Sequence, residues 1–105
     1  MAGFNYVREQ LRVAVLGLAA GEAPLGVRIG EVYARELFYL EAQELPDDIR
    51  ADFGRLSAAM SRGRPVGAEG IIAASARALT EREARDFAES IVSMYDRVAK
   101  YGPNG

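Results

Sequence analysis

The 105-residue sequence contains no cysteine, no histidine and no tryptophan. Without cysteine the chain has no disulfide, no thiolate nucleophile and no zinc site built on sulfur. Without histidine it lacks the commonest general base near neutral pH, the commonest transition-metal ligand and the E-x-x-H motif of di-iron helical bundles. Carboxylates, arginines, hydroxyls and five tyrosines are the groups that remain for chemistry.

A strong excess of one charge and a long hydrophobic run are also missing. Thirteen basic and 15 acidic residues give a net charge of −2, which argues against an extended, positively charged surface for binding nucleic acid. No stretch approaches the roughly 20 apolar residues of a membrane span. The short run at residues 13–20 fits a weak signal peptide or an amphipathic helix, and the spacing of Val7, Leu11, Val15 and Leu18 favours the helix.

Helical periodicity runs through nearly the whole chain, and strand-like alternation does not persist. We therefore predict an all-α fold, a compact bundle of four to five helices with short loops, formed by residues 1–105 as a single helical domain. The predicted helices are roughly Asn5–Ala20, Pro24 to just before Leu45, Pro46 to Gly63, Glu69–Leu79 and Thr80 to Gly102.

Capping residues support several of these boundaries. Asn5 is a good N-cap for the first helix, and Gly21 is typical of the residue just past a helix end. Thr80 and Glu83 have the spacing of a capping box, which predicts the start of the last helix. Gly102 and Pro103 follow the last helix and predict its end.

The second predicted helix carries a strip of small residues, Gly26, Gly30 and Ala34, at helical spacing. Small residues let another backbone approach closely. The strip predicts either a dimer seam or a helix crossing within the chain, and we favour the crossing. The expected facing residues are Ala73, Ala74 and Ala78.

The segment SRGRPVGAEGIIAAS, residues 61–75, combines glycines and arginines ahead of a helix, as some phosphate-binding loops do. It lacks the Lys-Ser or Lys-Thr of a P-loop and has no preceding strand. Glu69 already supplies negative charge to the first turn of the following helix. We therefore predict a helix connector, with weak anion binding at Arg62 and Arg64 as the alternative.

Two carboxylate pairs, Glu41 with Glu44 and Glu83 with Asp86, have i, i+3 spacing. E-x-x-E followed by E-x-x-D is the magnesium-binding pattern of all-helical nucleotide pyrophosphohydrolases, and oxygen ligands suit that ion. Here a whole helix separates the two pairs, and Glu83 also caps the last helix. The sequence favours solvated helix faces and leaves a magnesium site as the alternative.

Glu36 falls among Ile29, Val32 and Leu40 on the apolar face of the second helix. A carboxylate in an apolar stripe needs a partner, which predicts a buried ion pair, a raised-pKa acid or a contact with another chain. The candidate partners are Arg8, Arg12 and Arg77.

An acidic edge with neighbouring aromatics follows in the sequence. Residues 41–52 carry five acidic residues and one arginine, and Phe38 and Tyr39 cannot both face inward beside Leu37 and Leu40. Aromatic residues beside charge are typical of binding surfaces; closure of a small core by the same rings is the alternative. The predicted partner-binding residues are Tyr33, Glu36, Phe38, Tyr39, Glu41, Glu44, Asp47 and Asp48.

Four runs, LRVAVLGLAAGEAPLGVRI, ELPDDIRADFGRL, GAEGIIAASARAL and FAESIVSMYDRV, resemble a small family of bacterial helical proteins without an assigned function. The resemblance implies a soluble bacterial protein and transfers no site residues.

The sequence favours a non-enzymatic interaction, regulatory or accessory module of the cytoplasm, without a cofactor or metal. Its partner is another protein or, as a homodimer, the chain itself. One alternative is a magnesium-dependent pyrophosphohydrolase-like enzyme. The other is weak nucleic-acid binding through Arg55, Arg62, Arg64 and Arg77, with helix–turn–helix geometry opposed by the long loop and by nearby acids.

Overall fold

Five α-helices make up most of residues 3–101, the part of the chain that the computed structural model describes. A π-helical turn, Tyr33–Leu37, continues the second helix, and a 3-10 turn, Ala42–Glu44, precedes the third. Residues 3–101 contain no strand, so the predicted all-α bundle of four to five helices is confirmed. The helices are α1 Asn5–Ala20, α2 Leu25–Val32, α3 Asp47–Ala59, α4 Ile71–Arg77 and α5 Glu81–Ala99.

The two longest helices, α1 and α5, pack along each other and form one side of the core. Their buried side chains recur at helical spacing, which confirms the amphipathic interpretation of α1. From α1 these are Val7, Leu11, Ala14 and Leu18, and from α5 they are Ala84, Ile91, Met94 and Val98. None of the described helices is long and apolar enough to cross a membrane.

Arg28 fixes the corner between α1 and α2. Its guanidinium donates to the carbonyl of Leu18 in the last turn of α1 and, at 2.7 Å, to the carbonyl of Ala23 in the loop. The Gly21 amide also donates to the Gly17 carbonyl at 3.1 Å. These donors satisfy carbonyls that have no partner at a helix C-terminus, so α1 ends at the predicted glycine.

Side-chain capping follows the prediction at α5 and departs from it at α1. Thr80 Oγ1 accepts from the Glu83 amide, and Glu83 Oε1 accepts from the Thr80 amide, both at 3.0 Å. At α1 the N-cap is Phe4, and Asn5 is the first helical residue. Asn5 Oδ1 accepts from the Arg8 guanidinium at 2.5 Å, which is a physical reason why the Asn5 cap prediction is wrong.

The second helix, predicted to run to just before Leu45, ends with its π turn at Leu37, and the third helix, predicted to run to Gly63, ends at Ala59, so both predicted ends are wrong. The remaining helix boundaries shift by one or two residues. Pro24 and Pro46 are N-caps rather than first-turn residues, and their carbonyls accept the first helical hydrogen bonds. Helix α4 begins at Ile71, two residues after the predicted start at Glu69. The helix stop predicted at Gly102 and Pro103 lies outside the described residues.

Helix α2 approaches α4 closely along the predicted strip of small residues. A Cβ placed on Gly30 would lie 2.6 Å from the Cβ of Ala76, and one placed on Gly26 would lie 3.2 Å from the Ala76 carbonyl oxygen. The strip therefore forms a crossing within the chain, as favoured from the sequence. The alanine that contacts Gly26 and Gly30 is Ala76, which was not among the expected Ala73, Ala74 and Ala78. Of these three, Ala73 lies beside Ala76 in the cleft that Gly30 and Ala34 also line.

Replacing Gly30 by alanine should reduce the free energy of unfolding by about 1–3 kcal/mol, because Ala76 cannot rotate away from the added methyl group. Gly54 is the matched control, since it is an exposed residue in the middle of α3 and a Cβ there would meet no atom within 4 Å. Gly54→Ala should stabilise the protein by about 0.5–1 kcal/mol through helix propensity. Urea titration measures both changes; equal effects would contradict the close crossing.

Candidate interaction surface

The π turn at Tyr33–Leu37 decides which side chains of this segment reach the core. The Phe38 amide donates to the Tyr33 carbonyl at 2.8 Å, a hydrogen bond that spans five residues instead of four. In a regular helix Glu36 would follow Val32 on the core face four residues later. The wider turn gives that position to Leu37, and both Val32 and Leu37 are fully buried.

Glu36 is displaced toward the edge of the core but remains largely buried, with 12% of its side chain exposed. Its Oε1 lies 3.6 Å from Nε of Arg35 and accepts no hydrogen bond. Adjacent residues of a regular α-helix do not face each other, so the sequence prediction missed Arg35. Two of the expected partners bind other carboxylates, Arg12 binding Glu9 and Arg77 binding Glu69, and Arg8 donates to the Tyr101 carbonyl.

Three aromatic rings lead from the core to the surface along this segment. Tyr33 is buried, and its hydroxyl donates to Ser57 Oγ at 3.1 Å. The Phe38 ring meets Tyr33 edge-to-face at a centroid distance of 6.1 Å and Tyr39 at 4.9 Å. Phe38 is 49% exposed and Tyr39 is 75% exposed. The prediction that at least one of the two is exposed is confirmed.

A small apolar cleft of about 360 Å³ opens beside these rings. Phe38 and Tyr33 line one side of the cleft. Its other lining residues are Met60, at the end of α3, and Ile71 and Ile72, in the first turn of α4. Ile71 is half exposed. We call Phe38, Tyr39 and Ile71 the aromatic patch, and the sequence alone did not indicate the contribution of Ile71.

The predicted acidic edge spans the connection that follows Tyr39 and the first turns of α3, and four of its five carboxylates, Glu41, Glu44, Asp47 and Asp48, are exposed. Asp47 forms an ion pair with Arg50 at 2.6 Å, and Asp48 accepts from the Tyr101 hydroxyl at 3.1 Å. Glu44 accepts from the Glu41 amide at 2.8 Å, and no ion pair involves Glu41 or Glu44 within residues 3–101. These two carboxylates therefore keep their negative charge uncompensated beside the aromatic patch.

The four carboxylates of the magnesium hypothesis do not converge. Glu83 and Asp86 line a charged pocket of about 410 Å³ with Asp52 of α3, whereas Glu41 and Glu44 belong to the 3-10 turn. Two arginines, Arg55 and Arg62, share the pocket with the three acids. No group of three acidic residues in the described chain is placed to hold a metal ion, so the geometry does not support the magnesium alternative.

The glycine-rich segment after α3 is held by its own hydrogen bonds. The Gly63 amide donates to the buried Ser75 Oγ at 2.8 Å, and a Cβ on Gly63 would overlap the Ser75 backbone. The Val66 amide donates to Glu69 Oε2 at 3.0 Å. Gly63 and Glu69 therefore have structural roles in this segment, as expected of a helix connector.

The arginines considered for anion or nucleic-acid binding are mostly neutralised. Arg62 pairs with Glu83 at 3.1 Å, Arg77 binds both oxygens of Glu69, and Arg55 pairs with Asp52. Arg64 is exposed. Because paired arginines contribute little net field, this arrangement does not favour anion binding at Arg62 and Arg64 or a nucleic-acid interface.

An apolar groove between α1 and α5 was not singled out from the sequence. It encloses about 660 Å³ and contains Val15, Leu18 and Leu25, which the helical pattern places among core residues. Periodicity identifies the apolar face of a helix but does not show how much of that face a neighbour covers.

Comparisons with protein-family models, with curated proteins and with solved structures find no match to this chain. The resemblance to a bacterial helical family therefore stays a prediction. The candidate site rests on the geometry and charge described above.

Replacing Glu36 by leucine should raise the free energy of unfolding by about 1–2 kcal/mol, because it removes a buried acceptor that has no hydrogen-bond donor. Glu31→Leu is the control, since Glu31 is an exposed acid of α2. Thermal and urea unfolding measure the change. Destabilisation by Glu36→Leu would show that the carboxylate has a stabilising partner, and an equal gain in the control would show that burial of the carboxylate is not the cause of the gain.

Two glutamates, Glu69 and Glu83, should make the free energy of unfolding depend on pH in the acidic range. Arg77, and then the Val66 amide, lower the pKa of Glu69 from 4.5, and the Thr80 amide, and then Arg62, lower the pKa of Glu83. Their folded pKa values lie below the unfolded values, so the stabilisation is present above about pH 4.5 and is lost as pH falls through the folded pKa.

We expect the melting temperature of Glu69→Gln/Glu83→Gln to fall less steeply below this pH than that of the native chain. Glu22→Gln/Glu31→Gln is the control, because both of these glutamates are exposed and neither forms an ion pair within residues 3–101. Parallel pH profiles for all three proteins would contradict the assignment.

Proposed function

We propose that this chain is a non-enzymatic interaction module of the bacterial cytoplasm that binds a partner protein through the aromatic patch and the acidic edge. The observation that supports this most directly is the adjacent exposure of Phe38 and Tyr39, whose rings meet edge-to-face at 4.9 Å outside the core. No cofactor or metal is required for this role.

The aromatic patch has the physical properties of a binding hot spot. Aromatic side chains bury about 150–250 Å² each and are enriched at the centres of interfaces. The rings are also held in place before binding, because Phe38 packs on Tyr33 and Tyr33 donates to Ser57. A partner would therefore cover a large apolar area with little loss of side-chain freedom.

The chemistry of the acidic edge indicates what the partner presents. Glu41 and Glu44 place uncompensated negative charge at the border of the patch. An arginine-bearing partner would pair with these carboxylates and stack on the exposed rings. A two-fold dimer through the same surface would bring like charges together, so a different protein is favoured over a second copy.

Affinity capture with tagged protein from a bacterial lysate, with and without nuclease, tests the proposal. We expect at least one protein to be recovered in both arms. Phe38→Ser/Tyr39→Ser should reduce the recovery of this protein about tenfold or more, since truncating a hot-spot residue often costs more than about 2 kcal/mol of binding free energy. Substituting exposed residues should leave the core and the melting temperature nearly unchanged.

Tyr6→Ser/Leu16→Ser is the matched control, because Tyr6 and Leu16 are exposed apolar residues of α1 outside the patch. Sedimentation analysis of the purified protein tests the homodimer separately. Recovery that is equal for both double variants, or that disappears after nuclease treatment, would overturn the proposed surface.

A further inference from the structure

An open apolar groove of about 660 Å³ runs between the C-terminal half of α1 and the middle of α5. Val15 and Leu18 of α1 and Leu25 of α2 line one side, and Val92 of α5 lines the other. Val92 is 48% exposed although it points into this apolar surface. The groove shares no lining residue with the cleft beside the aromatic patch.

The charged residues that line this groove are both acidic. Glu89 and Asp96 lie seven residues apart on α5, and no arginine or lysine of residues 3–101 lines the groove. Lys100 reaches Asp96 at 3.5 Å, but both side chains are about 70% exposed, and such a pair exchanges readily with another cation. Arg12, one turn before Val15, is already bound to Glu9 through two hydrogen bonds.

From this arrangement we infer that the groove binds an amphipathic helix of another protein, with an apolar stripe flanked by lysine or arginine. A separation of seven residues corresponds to about 10.5 Å along a helix. A helix lying beside α5 presents cations at the same spacing as Glu89 and Asp96. The apolar i, i+3 and i+7 residues of this partner helix would fill the groove between α1 and α5.

A second copy of this chain does not meet the same requirement. Its exposed aromatic patch is bordered by Glu41 and Glu44, which would meet Glu89 and Asp96 with charge of the same sign. Like charges at an interface select against that pairing. The groove and the aromatic patch are thus separate surfaces, and together they give the chain two protein ligands.

Fluorescence anisotropy with designed helical peptides of about 18 residues tests this inference. One peptide carries a leucine stripe flanked by lysines, and the other has the same stripe with glutamate at each lysine position. We expect the cationic peptide to bind about tenfold more tightly or better at low salt. Glu89→Gln/Asp96→Asn should weaken its binding about fivefold or more, with a smaller salt dependence.

The matched control is Glu81→Gln/Asp86→Asn, which neutralises two exposed acids of the same helix outside the groove. This control should keep the native affinity. Ser93→Lys places a cation on the groove wall at an exposed position and should abolish binding, while Ala88→Trp should block the groove by size. Circular dichroism identifies any variant that fails to fold. If Ala88→Trp fails to fold, the test depends on Ser93→Lys.

Phe38→Ser/Tyr39→Ser should leave the affinity for the cationic peptide unchanged, which separates this inference from the proposed aromatic interface. Equal affinity of the two peptides, or equal effects of the groove variants and the control, would overturn it. Self-association that Ser93→Lys removes would assign the groove to a second copy instead and would also overturn it.

Discussion

The placement of one carboxylate governs the architecture of the middle of the chain. Glu36 occurs where a regular α-helix would bury it next to Val32, and burial without a hydrogen-bond donor is unfavourable. The wider turn at Tyr33–Leu37 moves Leu37 into that position and leaves Glu36 at the edge beside Arg35. The same turn directs Phe38 and Tyr39 outward, so the accommodation of a polar residue creates the exposed aromatic rings. π turns of this kind are frequent at functional sites.

The rest of the fold supplies a rigid support for that turn. The contact of Gly30 with Ala76 brings α2 against α4, and Arg28 fixes the α1–α2 corner through backbone carbonyls. Tyr33 is attached to α3 through Ser57. The segment that carries the aromatic patch is therefore connected to three neighbouring helices, which limits its freedom before a partner arrives. A surface that is ordered in advance loses less entropy on binding.

Features that depend on residues close together in the sequence could be predicted, whereas features that depend on packing between distant residues could not. The capping box at Thr80 depends on residues three apart, and the end of α1 and the start of α2 depend on local backbone chemistry, so these agree closely with the prediction. The C-terminal end of the second helix, predicted just before Leu45, is wrong, because the helix passes into the π turn at Tyr33–Leu37 and ends there. The π turn depends on whether the core tolerates Glu36, which only the packed structure decides. The partner of Glu36 and the contribution of Ile71 to the aromatic patch were missed for the same reason. The exposure of Phe38 and Tyr39 was predictable because too many apolar residues compete for one helix face.

Charge of the two signs is distributed unevenly over this nearly neutral protein. Seven arginines, namely Arg12, Arg35, Arg50, Arg55, Arg62, Arg77 and Arg97, form ion pairs with carboxylates of the described chain. The uncompensated acids include Glu41 and Glu44 at the aromatic patch and Glu89 in the α1–α5 groove. Each apolar surface is thus bordered by negative charge, while most positive charge is used within the fold. We propose that such a pattern attracts basic partners to both surfaces and opposes the pairing of one copy with another, even though the net charge is only −2.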